Sequence, residues 1–127
     1  MTTPTQPGPG SCGRPQLKRV YDLSSAADGQ RVLVDRLWPR GRSKETLKLD
    51  AWMRDLSPST ELRKWFHGNL TQRSEFRKRY FRELEAQPEL VRELKQKGKA
   101  GVVTLIYAGK DAEFNNATVL KEYLERP

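Results

Sequence analysis

The chain has 127 residues, with 24 Lys and Arg against 16 Asp and Glu, one His and one Cys. That length fits one small domain. No run approaches the roughly 18 consecutive apolar residues of a membrane span. A lone Cys excludes a disulfide framework and a Cys-rich zinc site, and a lone His excludes a His-pair metal centre.

Residues 1–13 carry no charged side chain and are mostly Thr, Pro, Gln and Gly. They are expected to form a disordered tail, with Cys12 an unperturbed thiol in it. The stretch has neither a basic n-region nor an apolar h-region, so the expected compartment is the cytoplasm. The folded unit is expected over residues 14–127.

Three runs read as strands. Leu17–Tyr21 is short and weakly alternating, Val32–Val34 is continuously apolar and stops at Asp35-Arg36, and Val102–Tyr107 is β-branched after Gly101. Continuous apolar runs suit strands covered on both faces, the habit of parallel sheets. Helices fill the interval between the second and third strands. Ser57-Pro58 reads as an N-cap with Pro at the first helical position, placing Leu62, Trp65 and Phe66 on one face. Thr71–Gln87 spaces Phe76, Tyr80 and Leu84 four apart, a core stripe. Pro88 opens a helix that buries Leu90, Val91 and Leu94 and ends near Gly98. Asp111 reads as the N-cap of a last helix with Phe114, Ala117, Leu120 or Lys121, and Leu124 inward. The order strand, strand, helices, strand, helix predicts an α/β layer structure: a small single domain with a mostly parallel sheet and helices on its faces.

The net charge of +8 favours anionic partners. A phosphate-bearing or other anionic small molecule fits, and so does nucleic acid; nothing implies a membrane partner. No cofactor or metal is indicated by a motif, although Mg²⁺ held by one or two acids and a substrate phosphate leaves no sequence signature. In open α/β sheets ligands bind outside the carboxyl ends of strands, and two such ends carry polar residues. After Val34 come Asp35, Arg36 and, past Trp38-Pro39, Arg40, Gly41 and Arg42. Arginines crowded into one short loop suit an anion, or an Asp–Arg network closing the sheet edge with Trp38 in the core. After Tyr107 come Ala108-Gly109-Lys110-Asp111 and then Asn115-Asn116. Small residues let a ligand approach the backbone and a helix N-terminus favours anions; capping, and an Asn bonded to a neighbouring loop, explain the same residues equally well.

These positions define the candidate pocket. Arg36, Arg40, Arg63 and Lys110 would bind the anion, and Asn115 or Asn116 would orient a base, amide or sugar. Asp35 or Asp111 would act as a general base if its pKa were tuned, in hydrolysis or transfer on a nucleotide-like substrate. Ser59 and Thr60 read better as caps than as ligands. His67, beside Gly68 at a helix end, has no nucleophile partner. The second class of function is a nucleic-acid-binding or regulatory module using the basic face of the 73–82 helix, through Arg73, Arg77 and Lys78. A scaffold whose arginines serve only internal salt bridges is the third.

Long stretches of the chain are similar to a known family. Val20-Tyr21-Asp22, Arg31–Gly41, Ser57–Phe66, and Thr104–Asp111 with Asn115-Asn116-Ala117 resemble the YeaO-like family of small bacterial proteins, within the domain-of-unknown-function 488 superfamily. The likeness covers about Leu17 to Leu124. It implies a Rossmann-like α/β fold and brings no assigned activity. Wider relatives carry a longer helix between the first two strands, an Asp-x-Arg after the second strand, and a Cys-His-Arg near the start of the last helix. Here the first connection is only about Leu23 to Gln30, and Asn115-Asn116-Ala117 stands at the Cys-His-Arg position. That departure removes a thiol and an imidazole. His67-Gly68 also reverses the Gly-His order of the family.

Overall fold

The structure is a computed structural model that describes residues 14–126; the expected tail over residues 1–13, with Cys12, lies outside the described residues. Four strands form one sheet: β1 (Gln16–Arg19), β2 (Gln30–Leu33), β3 (Ala51–Trp52) and β4 (Val103–Tyr107). Their order is β1-β4-β2-β3, and every pairing is parallel. The expected α/β sheet is therefore present, and β4 at its centre is buried at all five positions, as its apolar run requires. The helices are α1 (Lys44–Leu47), α2 (Thr60–His67), α3 (Arg73–Glu85), α4 (Pro88–Ala100) and α5 (Asn116–Glu125). Two elements, β3 and the one-turn α1, lie in a stretch to which no element was assigned from sequence. None of the described helices is long and apolar enough to cross a membrane.

The helices cover the two sheet faces unequally. Val32, Val34, Val103, Leu105 and Tyr107 meet α2–α5, through Leu62, Phe76, Tyr80, Leu84, Leu94 and Leu120. The expected stripe on α3 is present, with Phe76, Tyr80 and Leu84 all buried. Tyr80 is fully buried, and its hydroxyl donates to the Leu56 carbonyl at 2.5 Å, so its polar atom is not stranded. The last helix buries Leu120, not Lys121; the Lys121 ammonium turns to the Pro15 carbonyl and to Glu125.

The opposite face carries a smaller cluster. Val20, Leu33, Leu47 and Ile106 are buried there, with Trp38, Leu49 and Trp52 packed against them. Trp38 meets Trp52 edge to face with ring centroids 5.5 Å apart. Further along this face Asp28 and Arg31, 5% and 4% exposed, form an ion pair at 2.6 Å. Lys18 adds a second contact to Asp28 at 2.9 Å.

Two caps differ from the sequence reading. Ser59, not Ser57, caps α2, its Oγ accepting from the Leu62 N–H. Glu83 of α3 fixes this choice by accepting from the Ser59 N–H and Oγ. Asn115, not Asp111, caps α5 in a reciprocal capping box with Thr118. Asp111 instead closes the turn before it, accepting from the Glu113 and Phe114 N–H groups.

Candidate functional site

The pairing of Leu33 with Ile106 brings the ends of β2 and β4 side by side. Regular pairing of β2 ends at Leu33, so Asp35 and Arg36 escape strict alternation and both face one cleft beyond the strand tips. Its volume is about 480 Å³, within the range of small-molecule sites. The β4 side is Ala108-Gly109-Lys110-Asp111, followed by Phe114, Asn115 and Asn116 at the entry to α5. Helix α2 closes the cleft with Arg63, Phe66 and His67, which share one face at spacings of three and four.

The two strand tips are tied to each other. The Asp35 carboxylate accepts from the Ala108 N–H at 2.9 Å and from the Asn116 side-chain amide at 3.0 Å. Asn116 also donates to the Val34 carbonyl at 2.7 Å. Burial pushes the Asp35 carboxyl above its ordinary value, against the two hydrogen bonds and the Arg63 charge, which favour ionisation. Folded Asp35 thus holds its proton more tightly than the unfolded chain, and ionising it weakens the fold. Wild-type stability is expected to lose ground to Asp35→Asn as pH rises from 3.8 through the raised value, and to run parallel above it. Urea unfolding of both proteins at stepped pH checks this, and curves parallel throughout would contradict it.

The remaining polar residues divide between frame and rim. The Arg36 guanidinium donates to the Pro58 and Ser57 carbonyls at 3.2 and 3.4 Å and lies 4.0 Å from Asp55, so it braces the segment leading into α2. Asp111 is held below its ordinary value by the Glu113 and Phe114 N–H groups and by Arg73. Asn115 is occupied by its cap and by the Asp111 carbonyl, 2.8 Å from its amide. The half-buried Arg63 guanidinium makes no hydrogen bond or close ion pair among the described residues, and its charge acts on Asp35. Lys110 and His67 are exposed on the rim.

Seven of the eight sequence-predicted site residues converge: Asp35, Arg36, Arg63, Lys110, Asp111, Asn115 and Asn116 all line the cleft. Arg40 does not. Gly41 takes φ +77°, and the loop carries Arg40 to the surface beside Tyr21, whose hydroxyl reaches the Arg40 carbonyl at 3.4 Å. Sequence reasoning missed His67 and the aromatic wall; the spacing of Arg63, Phe66 and His67 was the available signal. Phe66 meets Phe76 at 4.5 Å and Phe114 at 5.7 Å between ring centroids, and Leu70, 62% exposed, extends the apolar side. The described residues hold no group of three His, Cys, Asp or Glu side chains placed for a metal ion. On α3, Arg73 pairs with Asp111, Arg77 with Glu122 and Arg79 with Glu75.

Comparison with known proteins gives a family and no assigned activity. The chain is 45% identical over 109 residues to the uncharacterized protein YeaO of Escherichia coli (strain K12), covering 86% of this chain and 95% of that relative. It is 39% identical over 111 residues to an uncharacterized protein of Mycobacterium tuberculosis (strain ATCC 25618 / H37Rv), covering 87% and 93%. No solved structure gives a significant match. The sequence model described as "Inactive DUF488-N3 subclade" matches residues 14–127. The chain therefore belongs to that subclade of the DUF488 proteins, among the relatives of YeaO.

Proposed function

We propose that the chain binds a phosphate-bearing, nucleotide-like small molecule in this cleft and holds it without turnover. The observation that carries the reading is Arg63, a half-buried guanidinium that lines the cleft with no hydrogen bond or close carboxylate of its own among the described residues. A guanidinium taken out of water in this way favours an anion that completes its hydrogen bonds. The aromatic wall of Phe66 and Phe114 suits a planar group on the same ligand, and the positive end of α5 adds to the preference for negative charge.

Hydrolysis or transfer has less support. A general base needs a free oxygen facing the substrate, and Asp35 and Asp111 both accept hydrogen bonds that hold the frame together. The description of the subclade as inactive agrees with binding alone. A nucleic-acid role for the basic face of α3 is also less favoured, because, of Arg73, Arg77 and Lys78, the two arginines are ion-paired. With a lone cysteine the chain forms no internal disulfide, and we place the binding in the cytoplasm.

Titration calorimetry with nucleoside monophosphates, inorganic phosphate and free nucleosides tests the reading. The monophosphates are expected to bind best, and Arg63→Gln is expected to weaken them by about 10- to 100-fold, the worth of one charged hydrogen bond. Its melting should match the wild type, since no hydrogen bond within the protein is lost. Silence toward every phosphate compound, or binding indifferent to Arg63→Gln, overturns it.

A further inference from the structure

Part of the excess positive charge of this chain is gathered in one place. None of the ion pairs among the described residues includes Arg19, Arg40, Arg42 or Lys110, and contacts join these four into one strip. The Arg42 guanidinium lies over the Tyr21 ring at 4.8 Å and that of Arg19 at 5.1 Å. Arg19 continues inward, donating to the Gly109 and Ala108 carbonyls at 2.9 and 3.1 Å. Those two residues and Lys110 form the β4 wall of the cleft. Arg40 stands beside Tyr21, its side chain exposed and without a hydrogen bond or ion pair among the described residues.

The partners along this strip leave its charge uncompensated. Arg19 is met by carbonyl dipoles, Arg42 by a ring, and the Arg42 Nε is shielded from solvent with no hydrogen-bond acceptor. Asp22 comes near, accepting from the Arg19 backbone N–H at 3.2 Å; Asp111, beside Lys110, is engaged by Arg73. Tyr21 is 41% exposed, so part of an aromatic ring contacted by two guanidiniums is open to solvent. Cations that track a backbone, interleaved with an aromatic and with planar guanidiniums, are the equipment of single-strand nucleic-acid binding. A duplex hides the base faces that such groups use.

We infer that Arg19, Tyr21, Arg40 and Arg42 form a binding strip for single-stranded nucleic acid, running over the 108–110 loop into the cleft. Phosphates lie along the arginines, a base stacks beside Tyr21, and one nucleotide at the inner end reaches the Lys110 side of the cleft. Only that inner end rests on the phosphate reading of the cleft; the outer strip stands on its own contacts.

The test is fluorescence anisotropy of the full chain with labelled single strands of about 12 nucleotides, ribo and deoxy, and a duplex of equal length, at about 50 and 200 mM salt. Two variants remove equal charge: Arg40→Gln with Arg42→Gln on the strip, and Lys78→Gln with Arg82→Gln on exposed positions of α3. The strip variant is expected to bind single strands at least about tenfold more weakly at the lower salt, with a log–log salt slope shallower by about 1.4 for two lost phosphate contacts. The α3 variant is expected to stay within about twofold of wild type. Comparing ribo and deoxy strands identifies RNA or DNA as the partner. Equal losses in the two variants, equal or better binding of duplex, or no single-strand binding at the lower salt each overturns the inference. Nucleoside monophosphate binding by the strip variant is measured in parallel and should be unchanged. A monophosphate response without single-strand binding ends the strip and leaves the cleft; single-strand binding lost in the strip variant without any monophosphate response ends the cleft reading and leaves the strip.

Discussion

Asp28→Ala is expected to destabilise the chain by roughly 3–5 kcal/mol, because it strands a buried guanidinium. Arg31 is 4% exposed. Its Nη1 binds the Asp28 carboxylate at 2.6 Å and its Nε binds the Leu47 carbonyl at 2.8 Å. Without Asp28 only the neutral carbonyl remains as its acceptor, and Lys18 and the Ser25 N–H lose a partner as well. A loss of that size is a large share of the 5–15 kcal/mol that holds a small domain together, so chemical denaturation of the variant should begin near zero denaturant. Adding Arg31→Met removes the stranded charge and is expected to recover much of the loss. No recovery in the double variant would show that packing, and not the unpaired cation, was at fault. The same site shapes the acid limb. Burial alone would raise the Asp28 carboxyl, but hydrogen bonds from Lys18, Ser25 and Arg31 and the Lys18 charge outweigh it and hold the group below its ordinary value. Its contribution is thus complete above 3.8 and is lost as pH falls through the lowered folded value.

Gly29→Ala is expected to be at least as damaging, about 4 kcal/mol or more, with melting lowered by about 15 °C or more. Gly29 has φ +62° and ψ −132°, a conformation that strains any L side chain by about 1–3 kcal/mol. An added Cβ would also stand 2.2 Å from the Val102 carbonyl oxygen and 2.8 Å from its carbon. That oxygen accepts from the Gln30 N–H at 2.9 Å, the bond that starts β2 against β4, so the obstruction is backbone that cannot step aside alone. Gly41 separates the two causes: its φ is +77°, yet nothing lies within 4 Å of an added Cβ. Gly41→Ala should therefore show only the strain, about 1 kcal/mol. Similar melting shifts for the two alanine variants would refute the steric account.

The elements that could be read from sequence are those whose signal is local. β4 announces itself by a run rich in β-branched residues because both of its faces are covered. α3 does so by aromatic and aliphatic residues four apart, and α4 by a proline that suits only a first turn. β3 has two residues, too few for any period, and exists because the Arg31 and Leu33 carbonyls accept from the Asp50 and Met53 N–H groups. The caps slipped where several hydroxyls or amides compete and a distant group decides, as Glu83 does for Ser59.

The site was legible to the same extent. Strand ends that carry acids, cations and small residues pointed to the cleft, and the register of β2 against β4 brings them together. Neighbourhood in sequence misled for Arg40, because one residue of positive φ after it redirects the loop. No reading of one chain segment shows that the Asp35 oxygens belong to Ala108 and Asn116, since those contacts span 73 and 81 positions.

The tie between the β2 and β4 tips gives the cleft a division of labour. Asp35, Asn115 and Asn116 keep its shape whether or not anything is inside, so a guest meets a rigid host and little ordering entropy opposes its entry. Among the described residues, the side chains of Arg63, Lys110 and His67 make no hydrogen bond or ion pair to that frame. Selection can exchange them and alter which molecule is welcome while the architecture beneath stays untouched.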